Sequence, residues 1–137
     1  MPGYVVPAPS VPEIIHSAPV GDNIPLIIEA QCYDLYEYTI PPNNYEKIII
    51  HMDVFLTGKC TTVGLVEVNS SVKINDALWA TRALRHHLLS DQLMRVTLST
   101  THAFVAKSGA IVKPQGLKAN LYDAIGRLES LVIEGYY

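Results

Sequence analysis

No run in this chain approaches the roughly 18 to 20 apolar residues that a membrane-crossing helix needs. Cysteine is scarce, with only Cys32 and Cys60, which excludes a small domain stapled by disulfides. Both are expected as free thiols buried on strands in a reducing compartment. Four prolines fall in the first twelve residues, and they oppose the continuous apolar core of a secretory signal. Met1-Pro2-Gly3 is not a myristoylation start, because glycine is not second. There is no Gly-x-Ser-x-Gly, no phosphate-binding Gly-rich loop and no dinucleotide fingerprint. His86 and His87 are adjacent and so point apart, and no second ligand pair stands at metal-site spacing. The expectation is no metal, no cofactor and no catalytic residue. Charge is low too, at 17%.

Apolar residues are plentiful, at 49% of 137 residues. That is enough for one domain with a sizeable core. The net charge of −3 divides unevenly. Residues 1–72 hold two basic and eight acidic residues, and residues 73–137 hold eight basic and five acidic. An acidic half and a basic half suggest two faces, the second suited to anionic lipid or to nucleic acid without sequence-specific readout.

Tyr45 to Leu89 organises the rest. Ile48, Ile50, Met52, Val54 and Leu56 alternate as one face of a strand. Thr57-Gly58-Lys59 is a short Gly-containing connection, which predicts a hairpin with a strand over Cys60–Val68. Upstream, residues 1–23 read as an extended Pro-rich arm, and residues 24–137 as a single domain. The arm carries apolar side chains that favour a groove, its own or a neighbour's. Its self-association residues are Tyr4, Val5, Val6, Pro7 and Pro9. Tyr33, Tyr36 and Tyr38 form a tyrosine-rich strand suited to a wet interface.

Two helices are predicted. One runs from about 76 to 89, capped by Asn75 or Ser71, with Ala77, Ala80, Thr81, Leu84 and Leu88 as its inner stripe. The other runs from about 117 to 133 on Leu117, Leu121, Ala124, Ile125, Leu128, Leu131 and Val132. Between them, Leu93–Lys107 reads as a strand, Ala110–Val112 as a short return strand, and Pro114-Gln115-Gly116 as a break. The fold class is therefore α+β, a mainly antiparallel sheet with two amphipathic helices and an extended arm. Lys73, Arg82, Arg85, Lys107, Lys113 and Lys118 form the expected anionic-surface set.

Tyr45-Glu46-Lys47-Ile48-Ile49-Ile50 resembles the first core strand of rhabdovirus matrix proteins, and the length is closer to the small matrix proteins of bornaviruses. The pattern extends over about residues 40–107. The chain lacks those proteins' Lys-rich start, and its Pro41-Pro42-Asn43-Asn44-Tyr45 only approximates their budding motif. The resemblance implies a non-enzymatic matrix-type structural protein that self-associates, binds the inner membrane leaflet and contacts the viral nucleocapsid. Its place would be the virion and the cytoplasmic face of host membranes. Two further readings stand beside it: a cytosolic adaptor using the tyrosine strand, and a small enzyme of unrecognised type.

Overall fold

The computed structural model describes residues 12–105 and 108–137, with residues 79 and 80 described by their backbone alone. Among the described residues, ten strands account for the regular structure: β1 (Glu13–Ala18), β2 (Ile24–Pro25), β3 (Tyr33–Asp34), β4 (Tyr38–Thr39), β5 (Lys47–Cys60), β6 (Gly64–Ile74), β7 (Ala77–Leu88), β8 (Leu93–Phe104), β9 (Ile111–Ala119) and β10 (Leu121–Tyr136). They form two antiparallel sheets. One has the order β1-β10-β5-β8, with β2 also on β10. The other has the order β3-β9-β6-β7, with β4 also on β9. Except at the β6–β7 hairpin, the chain changes sheet at each connection between the long strands. That order and that alternation define a jelly roll.

The expected alternation on β5 is observed: Ile48, Ile50, Met52, Val54 and Leu56 are all buried. They face Val66, Val68, Val72 and Ile74 of β6 and Val112 of β9, also buried. Side chains from the two inner faces make one core, as in any sheet-on-sheet packing. Leu56 lies where a Cβ on Gly116 would come within 3.0 Å of it, and one on Gly126 within 3.1 Å. The two sheets close around that leucine because both neighbours lack a side chain.

The α+β expectation is overturned, because both predicted helices are strands. The first is β7. Leu84 and Leu88 stand four apart, and four is both an even step along a strand and one turn of a helix. Asn75 and Asp76, read as a helix start, instead have φ of 49° and 65°. Together they form the two-residue turn that a tight hairpin favours, with both residues left-handed. Asn and Asp serve either role, which is why the signal misled.

The second predicted helix crosses the end of β9 and most of β10. Its buried hydrophobic residues are Leu121, Ala124, Leu128, Leu131 and Ile133. Steps of three occur where the pairing with β5 shifts register, between Tyr122 and Ile125 and between Leu128 and Ser130. Each bulge adds one residue to the alternation. A strand with two bulges thus imitates the three-and-four spacing of a helix.

The expected β5–β6 hairpin is also absent, because the two strands belong to different sheets. Gly58 lies inside β5, where an added Cβ would stand 3.1 Å from that of Leu121 and 3.2 Å from that of Ala124. This glycine marks a close approach of strands rather than a turn. Pro114 does not break β9. Its carbonyl accepts from Leu35 N–H (2.8 Å), between β3 and β4. The missing proline donor therefore faces a gap in the neighbouring edge. Residues 13–18, assigned to the arm by sequence, pair with β10 as β1. Cys60 is buried as expected, but Cys32 is exposed.

Leu56→Ala should lower unfolding free energy by about 3 kcal/mol, the cost of a core cavity that two packed sheets cannot collapse. Urea denaturation checks this. A loss below about 1 kcal/mol would mean that Leu56 does not sit between the sheets.

Candidate functional site

The two sides of the sandwich differ. On one side the sheet edges are short and interrupted: β1 has six residues, and β2, β3 and β4 two each. Aromatic side chains close this side. The His16 ring lies 3.8 Å from the Tyr38 ring and parallel to it, and its Nε2 is 2.7 Å from the Tyr36 hydroxyl. Tyr33 accepts from Ile28 N–H. Tyr45 and Tyr137 both donate to the Glu13 carboxylate, at 2.7 and 3.4 Å. The bond to Glu13 pushes the Tyr45 phenol well above its usual range. Tyr36 and Tyr38, central to the adaptor reading, are half-buried in this internal closure.

One end of the sandwich is held by a charged clamp. Lys118 is 5% exposed and donates to Glu29 Oε1 at 2.8 Å and to the Leu121 carbonyl at 2.9 Å. The second Glu29 oxygen accepts from Asn120 N–H at 2.8 Å. Asn120 has φ of 61° and turns the chain from β9 to β10. Its side-chain nitrogen donates to the carbonyls of Thr62 (2.7 Å) and Leu65 (3.2 Å). Three connections therefore meet at one turn. Burial alone would raise the Glu29 pKa, but the hydrogen bonds from Lys118 and the Asn120 backbone, with the Lys118 charge, hold it below the usual value.

Among the described residues, no strand covers the opposite side. β7 and β8 end their respective sheets, and each is twelve residues long. Their facing edges leave a groove of about 420 Å³, lined by Leu84, His86, Leu88, Leu93, Met94 and Val96 among others. Leu93 is 53% exposed and Leu78 on β7 is 59% exposed. Beyond the residues that line the groove, Arg82 Nη1 donates from β7 to the Ser99 carbonyl of β8 at 2.6 Å. No group of three or more His, Cys, Asp or Glu suited to a metal ion occurs among the described residues.

The predicted basic residues are dispersed. Lys73 lies outward on β6, in register with Lys113 of β9. Lys113 is held among Asp34 (3.9 Å), Glu37 (3.5 Å) and Asp76 (3.9 Å). Lys118 is buried in the clamp. Arg85 pairs with Glu67. Arg82 and Arg85 are three apart, which would be one face of a helix but is opposite faces of a strand. Lys107 lies outside the described residues, as do Tyr4, Val5, Val6, Pro7 and Pro9. The sequence reading missed the open edge itself. Its signal is Val96–Phe104, nine residues without Pro, Gly or a formally charged side chain.

No family model and no curated protein matches this chain. Among solved structures, it is similar to a chain of infectious bursal disease virus, Gx strain. The TM-score is 0.55 at 10% identity, over 99% of this chain. The match covers 37% of that chain, so this protein spans little more than a third of its neighbour's length. The likeness is one of fold alone. No helix among the described residues is long and apolar enough to cross a membrane.

Glu29→Gln tests the clamp. A lowered carboxyl pKa gives stability that is present above the ordinary value of 4.5 and lost as pH falls through the lowered one. At neutral pH the variant should be less stable by about 1 kcal/mol, a charged hydrogen bond discounted for solvent exposure. The difference should shrink at a strongly acidic pH below the lowered value, where the wild-type carboxyl also protonates. Urea midpoints at the two pH values check it, and a gap that widens in acid would refute the clamp.

Proposed function

We propose that this protein is a non-enzymatic structural subunit of a virion, built to associate with copies of itself. The observation that carries the reading is the pair of twelve-residue edges left open on one side of a jelly roll. Long open edges recruit further strands, and folds that remain monomeric shorten, charge or cover them. This protein shortens its edges on the β1 side; on the other side β7 carries charge, and β8 is neither shortened nor covered by a strand among the described residues. The structural neighbour is a chain from the structure of a virus, which supports the same class.

The second reading is the matrix-type role, peripheral to membrane and linking it to nucleocapsid. It draws on the basic residues. With Lys113 among acids, Lys118 buried and Arg85 paired with Glu67, Lys73 and Arg82 remain from the described members of that set. At about 1 kcal/mol each near an anionic surface, two give weak attachment unless an oligomer multiplies them. Membrane attachment in this account follows assembly.

Light scattering of the full chain across concentration should show mass rising to a multiple of 15.1 kDa. A constant single-chain mass at every concentration would overturn the structural-subunit reading. Sedimentation with vesicles containing phosphatidylserine tests the second reading. The assembled protein should pellet at low salt and be released as salt screens the contact, whereas pelleting that ignores salt would count against the basic residues as its cause.

A further inference from the structure

We infer that the β8 edge is the receiving site for residues 3–11 of a second copy, which add to it as an extra strand. This rests on the self-association reading and names its two contacting parts.

The register of β8 decides which backbone groups are offered. Cys60 N–H donates to the Gln92 carbonyl at 2.9 Å, and the β5–β8 pairing continues from there without a bulge. In an antiparallel pair, hydrogen-bonded residues alternate. Even-numbered residues of β8 therefore bond to β5. Odd-numbered ones, including Arg95, Thr97, Ser99, Thr101 and Ala103, point N–H and C=O away from it. The Arg82 bond to the Ser99 carbonyl agrees with that parity. It fills one acceptor on the edge, and an arriving strand would displace it. β8 is also the less guarded of the two long edges. β7 carries Arg82, Arg85, His86 and His87, while β8 carries Arg95 near one end and a Thr-rich run beyond it.

Residues 3–11, Gly-Tyr-Val-Val-Pro-Ala-Pro-Ser-Val, have the complementary parity. Proline has no N–H, and both prolines of this segment, Pro7 and Pro9, are odd-numbered. Tyr4, Val6, Ala8 and Ser10 therefore keep a complete row of donors and acceptors along one edge. An added edge strand needs only one such row. One face of that strand is Val5, Pro7, Pro9 and Val11, wholly apolar. It suits the groove beside β8, where Leu84, Leu88, Met94 and Val96 lie.

For the whole of residues 3–11 to pair, the donor is another copy. β1 is three strand positions from β8 in its sheet, so a strand added beyond β8 lies four positions from β1, about 19 Å away. Only Pro12 separates Val11 from Glu13, a reach of about 7 Å. Each copy then gives an arm from one side and receives one on the other. That head-to-tail contact closes into rings or runs on as filaments.

The test is a parity pair read by light scattering of the full chain. Val6→Pro removes a donor that faces β8 and should raise the concentration at half-association by about tenfold or more. Val5→Pro alters a residue whose N–H faces away and should shift it by less than about threefold. Thr97→Pro, which removes a donor only from the open edge of β8, should match Val6→Pro while leaving the far-ultraviolet circular dichroism unchanged. If Thr97→Pro alters that spectrum, Thr97→Lys on the same edge takes its place. Equal behaviour of the two arm variants overturns the inference. So does an oligomer that survives deletion of residues 2–11, although assembly itself would then stand. A strict monomer overturns both.

Discussion

The alternating row on β5 sets the constraints that the other strands answer. Ile48, Ile50, Met52, Val54 and Leu56 present a continuous apolar face some fourteen residues long with its flanks. A sheet with such a face must be covered, and among the described residues only strands are available to cover it. The chain therefore crosses between sheets after β5, β7, β8 and β9, so that each layer supplies half of the core. β10, the longest strand, follows β5 along nearly its whole length and takes two bulges to stay in register. The clamp at Asn120, Glu29 and Lys118 fixes the point where β9 passes to β10.

Closing a core in this way leaves the edges to be dealt with separately, and the two sides are treated differently. The β1 side is built from short strands, prolines and tyrosines that hydrogen-bond or stack on Glu13 and His16. The β7–β8 side has length, threonine and an apolar groove. A subunit made to give from one side and receive on the other would need this asymmetry.

The sequence carried much of β5 and β8 in plain alternation, because neither strand has a bulge in its pairing with the other. It misrepresented β7 and β10 for separate reasons. Leu84 and Leu88 satisfy both periods at once. Leu121, Ala124, Leu128 and Leu131 step by three only where β10 bulges. Asn75-Asp76 is as good a helix cap as it is a hairpin turn. Gly58 looked like a turn because its requirement, room for Leu121 and Ala124, comes from a strand more than sixty residues away. The open edge was hidden for a like reason. Val96–Phe104 reads as a strand in any register, and only the pairing of the whole chain shows that nothing among the described residues lies beyond it.

Residue-resolved hydrogen exchange along β8 tests the central claim most directly, comparing the full chain at associating concentration with the chain lacking residues 2–11. The account predicts slow exchange at even-numbered amides such as Leu98 and Thr100 in both, because β5 holds them. It predicts slow exchange at Thr97, Ser99 and Thr101 only when the arm is present. Odd-numbered amides that exchange at the same rate with and without the arm would contradict strand addition at this edge.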